Sequence, residues 1–244
     1  MAQTKALYLE DAYLKEWEAE ILEVSGEGEK AGKFIILNET AFYPNGGGQP
    51  YDTGKIVRIS DNSEFQVVYT GKFEGKISHE IDKEGLKVGD KVKCVLNWER
   101  RYKLMRMHTA AHILSPIINK QTDALITGNQ LDVEKSRVDF DLENFDKEAF
   151  KDYIKSANDI ISWNLPIILY YVSQDQLAND KSLCKLAKGL PPELKEIRII
   201  DIQSFDKQAD GGTHVKSTGE VGKIIFLSAE NKGAKRRRVY FTLE

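Results

Sequence analysis

Cysteine is nearly absent from this chain: Cys94 and Cys184 are the only two in 244 residues. Neither has a second cysteine nearby, which excludes a thiolate-rich metal site and favours a buried, structural reading of both. So little cysteine also suits a reducing setting. No apolar run is long enough to cross a bilayer, and the segment Met1 to Glu10 lacks the basic start and apolar stretch of a secretory signal. A cytoplasmic protein that does not enter the membrane is the expectation. Internal repeats, low-complexity tracts and a disordered linker are also missing.

What is present is the composition of a globular protein, 41% hydrophobic and 30% charged, in a chain long enough to bury a large core. Two domains are expected, residues 1–97 and 98–244. The formal charge of −3 gives no overall attraction to nucleic acid, but positive charge is clustered. Arg100, Arg101, Lys103 and Arg106 form one run, and Lys232, Lys235, Arg236, Arg237 and Arg238 a second. Such runs are ordinarily solvated faces. Two of them in a chain with a metal-binding pattern point to a phosphate-bearing partner, touched without reading bases.

From Glu18 to Leu96 short apolar runs are punctuated by glycine, asparagine and aspartate. Strands are predicted at Glu20 to Val24, Phe34 to Leu37, Ile56 to Ile59, Phe65 to Tyr69, Lys76 to Ile81 and Val92 to Leu96. Regular strands without helical periodicity predict a small antiparallel barrel or sandwich. In the Lys76 to Ile81 strand, His79 is expected to face outward. The pattern changes near Trp98. Leu104, Met107, Ala111 and Leu114 recur at helical spacing, predicting a helix over Glu99 to Lys120 that Pro116 kinks or shortens. A strand at Ser136 to Leu142 follows, then a helix over Lys147 to Trp163 capped by Asn144 or Asp146. Next come a strand at Pro166 to Val172, a short helix at Asp175 to Asn179, and strands at Ile197 to Ile202, Lys223 to Leu227 and Val239 to Leu243. The fold class is therefore α+β: a small barrel, then a mostly antiparallel sheet with helices on one face.

Three of the four histidines fall in two clusters, His108-Thr-Ala-Ala-His112 and Asp210-Gly-Gly-Thr-His214. Imidazoles four residues apart on a helix project from one face and reach a single ion. Such a pair also arises by chance as core histidines. The second cluster reads equally as an Asp-Gly turn, or as a loop supplying a carboxylate and a third imidazole. Joined together, His108, His112, Asp210 and His214 form a shell that suits zinc. Neither helical histidine has a glutamate beside it, so the zinc-protease pattern with its built-in base is missing. Gly46-Gly47-Gly48-Gln49 exposes bare backbone amides beside a side chain that both donates and accepts. It reads otherwise as a hairpin turn, and without a following Lys-Ser or Lys-Thr it is not a nucleotide-binding loop.

Taken in order, Gly-Gly-Gly-Gln at 46–49, His-Thr-Ala-Ala-His at 108–112, Gly128-Asn129-Gln130, Gly-Gly-Thr-His-Val at 211–215 and Thr-Gly-Glu-Val-Gly at 218–222 resemble the editing domain of alanyl-tRNA synthetase. Length and ending are closer to the free-standing AlaX family. The resemblance runs from about Leu7 to the C-terminus. It implies an N-terminal barrel and a C-terminal editing domain, and zinc-dependent hydrolysis of the ester joining serine or glycine to alanine tRNA, carried out in trans. By that likeness Gln49 and Thr127 are candidate catalytic residues, with Thr127 supplying a hydroxyl that discriminates serine from alanine. Gly46, Gly47, Gly48 and Asn129 are candidate substrate-binding residues. Two positions depart from the pattern: Asp210 stands where the loop motif usually begins with cysteine, and Ala111 where the synthetase domain often has threonine. Alternatives are a zinc-stabilised RNA-binding module without catalysis, if four ligands saturate the metal, and a metallohydrolase of small esters or amides. The amino-terminal editing domain of threonyl-tRNA synthetase shares the histidine spacing but lacks the Gly-Gly-Gly-Gln segment.

Overall fold

The computed structural model describes residues 4–26, 28–143, 146–180, 183–186, 196–233 and 235–244. The chain divides into two compact units, Met1–Lys103 and Leu104–Glu244.

In the first unit, strands β1 (Lys5–Ala6), β2 (Glu16–Ser25), β3 (Phe34–Leu37), β4 (Glu39–Thr40), β5 (Gly54–Arg58), β6 (Glu64–Phe73), β7 (Lys76–Ile81) and β8 (Lys91–Leu96) follow one another. Six of them close a barrel in the order β2-β3-β7-β6-β5-β8, every pair antiparallel. The predicted barrel is thus present, and closure leaves it no free edge. Alternation turns Ile21, Ile35, Ile56, Phe65, Val92 and Cys94 inward, and Trp17 meets Phe42 edge to face at 4.8 Å. Burial pushes the Cys94 thiol far up, so it stays protonated and inert. The short β1 and β4, absent from the expected strands, pair in parallel; two residues are too few to carry a period.

Two expectations for this unit are overturned. His79 does not face outward: it is completely buried. It shares its strand parity with Ile77 and Ile81, so alternation itself places it on the apolar side. Its Nδ1 lies 3.3 Å from the Ile35 carbonyl and its Nε2 2.9 Å from the Thr40 hydroxyl. Arg101 is not available to a phosphate either, being completely buried. Its Nε donates to Asp52 Oδ2 at 3.0 Å, Nη1 to the Ala12 carbonyl at 2.8 Å and Nη2 to the Ala41 carbonyl at 2.5 Å. The Asp52 oxygen also accepts from the Tyr43 N–H at 2.7 Å. One buried guanidinium thereby ties the segment before β2 to both ends of the loop between β4 and β5, because a buried charge persists only where its donors are satisfied.

Helix α1 (Trp98–Thr122) runs straight through the dividing point of the chain. It continues past Pro116, so the proline does not shorten it. From Leu104 to Ile118 nearly every side chain is buried, as expected of a helix enclosed on all sides.

The second unit continues with β9 (Ile126–Gln130), β10 (Ser136–Phe140), α2 (Lys147–Ser162), β11 (Ile167–Ser173), α3 (Gln174–Asn179), β12 (Glu196–Ile202), β13 (Asp206–Ala209), β14 (Ile224–Asn231) and β15 (Arg237–Leu243). Where one sheet was expected there are two, ordered β14-β15-β10-β9 and β11-β12-β13, all pairs antiparallel. Asp146 caps α2 by accepting from the Glu148 N–H at 2.9 Å; Asn144, the other expected cap, lies outside the described residues. Phe150, Ile154, Ala157 and Ile161 form the buried stripe of α2, which packs against β14. Asn158 brackets the Ile224 backbone, donating to its carbonyl at 2.9 Å and accepting from its N–H at 2.8 Å.

His79 generates a pH prediction. Burial pushes its pKa from 6.5 down to about 4, so the folded state keeps it neutral while the unfolded chain takes up a proton. Its contribution is complete above about pH 6.5 and is lost as pH falls toward 4, an amount of about 3 kcal/mol at most. A His79→Gln variant should therefore lose about 2 kcal/mol less stability than the unsubstituted protein between pH 7 and 4.5 in denaturant titrations. Identical pH dependence of the two proteins would contradict this placement.

Candidate metal centre

The two histidine clusters meet within the second unit. His108 and His112 lie one turn apart on α1. Asp210 and His214 lie on the loop that leaves β13, and the loop shape is set by short-range bonds. The Asp210 carboxylate accepts from the Gly212 N–H at 2.5 Å, a local turn of the kind aspartate favours. Arg198 on β12 fixes the same loop. Its carbonyl accepts from the Asp210 N–H at 3.0 Å, and its Nη1 donates to the Asp210 and Gly212 carbonyls at 3.1 and 2.8 Å.

The resulting cluster contains one ligand atom each from His108, His112, Asp210 and His214, all within 4.8 Å of one another. Nε2 of His108 lies 3.5 Å and Nε2 of His112 3.8 Å from Asp210 Oδ1, and Nε2 of His214 lies 3.1 Å from Oδ2. A cation with bonds of about 2.1 Å to four tetrahedral ligands sets those ligands about 3.4 Å apart. The three imidazole-to-carboxylate distances bracket that value and the whole set lies within 4.8 Å, so the donor set can hold a small metal ion. The three rings pack with centroids 4.4–5.0 Å apart, their Nε2 atoms aimed at the same carboxylate.

Protonation suits the same occupant. Burial pushes His112 below its ordinary value, partly opposed by Asp210. His214 lies well below, through burial and then the neighbouring His108 and His112. For Asp210 burial acts upward, yet the three imidazoles outweigh it and hold the carboxyl well below the usual range. At neutral pH the loop thus presents a carboxylate and a neutral imidazole, the forms that bind metal.

A supporting residue not foreseen from the sequence is Thr109, between the helical histidines and completely buried. Its hydroxyl lies 3.1 Å from His214 Nδ1 and accepts from the Val215 N–H at 3.3 Å. Pairing Nδ1 in this way fixes the ring and leaves Nε2 for a metal, the usual outer partner of a ligating histidine. No sequence period marks such a residue, because its role depends on a segment more than a hundred positions away.

The other expected site residues fall in two places. Gly46 and Gln49 exchange two backbone hydrogen bonds, at 3.1 and 3.0 Å, around Gly47 at φ 59° and Gly48 at φ 86°. These are the dihedrals of a type I′ hairpin turn, which glycine alone adopts without strain. The turn leaves Gly47 exposed and Gln49 completely buried. In the second unit Thr127 and Asn129 lie half-buried on β9. Thr127 is the extra residue of a bulge, since Gly128 pairs with Asp139 and Ile126 with Phe140. Its hydroxyl oxygen is buried without a hydrogen-bond partner among the described residues, a costly arrangement unless something else occupies it.

Two of the five residues of the second basic run are consumed internally. Arg237 is buried and donates to Asn231 Oδ1 at 3.0 Å and the Gly233 carbonyl at 2.8 Å. Arg238 grips both Asp139 oxygens at 2.7 and 2.8 Å. Lys232, Lys235 and Arg236 remain exposed. In α1, Arg106 donates to the Val221 and Glu244 carbonyls.

Comparison with known proteins agrees with this geometry. Residues 6–100 match the model for tRNA synthetases class II (A), and residues 197–240 that for the threonyl and alanyl tRNA synthetase second additional domain. The alanyl-tRNA editing protein AlaX-M of Methanosarcina barkeri is 50% identical over 245 residues, covering 98% of this chain and 99% of the relative. The AlaX-M protein of Saccharolobus solfataricus is 39% identical over 243 residues, covering 99% of both. The alanine–tRNA ligase of Pyrococcus abyssi is 33% identical over 245 residues, which is 99% of this chain but 26% of that longer protein. The sequence motifs, the barrel and the histidine cluster therefore converge on one assignment: the chain belongs to the AlaX family of alanyl-tRNA editing proteins.

Proposed function

We propose that this protein is a trans-editing deacylase that hydrolyses the ester joining serine, or glycine, to alanine tRNA, with zinc held by His108, His112, Asp210 and His214. Family membership supports the editing activity, and the observation that carries the chemistry is the convergence of three imidazoles and one carboxylate, one ligand atom from each within 4.8 Å of the others. Zinc, the ion that suits this nitrogen-and-oxygen set, supplies Lewis acidity that polarises a carbonyl or lowers the pKa of water.

The chain's own residues supply position. An ester between amino acid and ribose is already activated, so catalysis consists of orienting the carbonyl, admitting one water and stabilising the oxyanion. Water adds to the carbonyl carbon, the ribose oxygen leaves and takes a proton, and the free amino acid departs. No covalent nucleophile is needed. Thr109 and Arg198 hold the imidazole and the loop in place. Gln49, with the backbone of Gly46, Gly47 and Gly48, is assigned to the aminoacyl-ribose end. That assignment is supported by the family motif and by the glycine turn, where a side chain is disfavoured by backbone conformation. Asn129 is assigned to substrate on the same motif likeness.

Rejection of correctly charged alanine needs a group that recognises a hydroxyl. A site that hydrogen-bonds a substrate hydroxyl discriminates against the analogue lacking it by several orders of magnitude in favourable cases. Thr127 is assigned that task. Its oxygen has no partner among the described residues, which leaves its bonding capacity for a substrate side chain. A saturated four-ligand ion in a protein that only binds RNA is the second reading, favoured by the same completeness of the protein shell.

Two measurements decide these points. Chelator-stripped protein should lose most of its deacylation of serine-charged alanine tRNA and regain it with stoichiometric Zn²⁺. Tight tRNA binding without hydrolysis in the restored protein would instead support the binding module. Thr127→Val should leave folding stability nearly unchanged, since no existing bond is broken, while lowering the serine-over-alanine deacylation ratio at least about tenfold. An unchanged ratio removes Thr127 from discrimination.

A further inference from the structure

Gln208 and Pro116 belong to no part of the chemistry so far, yet they meet at the backbone of a candidate metal ligand. In an α-helix the carbonyl of residue i accepts from the N–H of residue i+4. The partner of the His112 carbonyl is thus Pro116, which lies inside α1 and has no N–H to give. The proline ring also crowds that carbonyl. The orphaned acceptor is met from outside the helix: Gln208 Nε2 donates to it at 3.4 Å.

The donor is itself held. Gln208 is buried, and the same amide nitrogen donates its other hydrogen to Asp206 Oδ2 at 2.8 Å. Asp206 is paired in turn with the buried Lys185 ammonium, at 2.8 and 3.0 Å to its two oxygens. Asp206 and Gln208 are two apart on β13 and share a face, with β12 fixing their register through Gln208 opposite Ile200. β13 then runs directly into the loop that carries Asp210. One strand therefore delivers the carboxylate ligand and grips the helix at an imidazole ligand.

We propose that Gln208 is a positioning residue for the metal centre: oriented by Asp206 and Lys185, its amide replaces the hydrogen bond that Pro116 removes and locks the His112 turn of α1 against the Asp210 strand. The proposal rests on the metal reading above. Outer partners of ligating residues typically contribute 10- to 100-fold in metal affinity.

The test uses the full chain, with Zn²⁺ affinity measured by competition against a chromogenic chelator and the ligand field read from the visible bands of bound Co²⁺. Gln208→Met keeps length and burial but lacks the donor. It should weaken Zn²⁺ binding about tenfold or more and shift the Co²⁺ bands. The decisive comparison repeats the substitution in a Pro116→Ala background, where the helix regains its own N–H donor; there the loss should shrink to less than about threefold. Unchanged affinity in Gln208→Met, or an equal loss in both backgrounds, overturns the proposal. If Gln208→Met alone fails to fold, the double variant carries the test: it should fold and bind within about threefold of Pro116→Ala, and failure on either count overturns the proposal. Absence of binding by the unsubstituted protein removes the metal reading and this inference together, whereas normal binding there with an unaffected Gln208→Met removes the inference alone.

Discussion

A single carboxylate surrounded by three imidazoles is the constraint around which the second unit is arranged. Burying a carboxylate and three imidazoles side by side is costly unless their polar atoms are satisfied. The arrangement becomes favourable when a cation sits among them and each lone pair finds a partner. The surrounding structure reads as the means of keeping those atoms together: an enclosed helix sets the spacing of His108 and His112, and Arg198 fixes the glycine loop so that Asp210 and His214 return to it. Thr109 joins the two by touching His214 from the helix.

The first unit solves a different problem with a similar device. Its closed barrel leaves no sheet edge, and the loops outside it are gathered by one buried guanidinium, Arg101, on Asp52. In both units a charged group enclosed by the protein fixes segments that hydrophobic packing alone leaves free to slide, since burial is non-directional while hydrogen bonds are not. The glycine turn at 46–49 follows from local conformation rather than burial: its two positive φ angles specify the reversal.

Much of this was legible in the sequence, for identifiable reasons. Barrel strands betray themselves by alternation, and six were expected close to where they occur. The helical pair and the Asp-Gly-Gly-Thr-His loop were legible because each ligand pair lies within one turn of chain. What was not legible depends on distance or on parity. His79 was placed on the wrong face although Ile77 and Ile81 share its parity. Arg101 and Arg237 looked like a solvated surface because a charge run does not reveal its carbonyl partners. Thr109 and Gln208 act across long separations, Arg198 acts on backbone carbonyls that no residue pattern marks, and β13 is too short to show a period. Pro116 is expected to kink or shorten the helix; the helix continues past it, and the missing N–H frees one carbonyl.

The most direct test of the account is the zinc K-edge X-ray absorption of the protein loaded with one equivalent of Zn²⁺. The account predicts a four-atom shell made entirely of nitrogen and oxygen at about 2.0–2.1 Å, with the outer scattering of three imidazoles and no sulfur. A sulfur contribution at about 2.3 Å, or a shell of oxygen atoms lacking imidazole scattering, would contradict it.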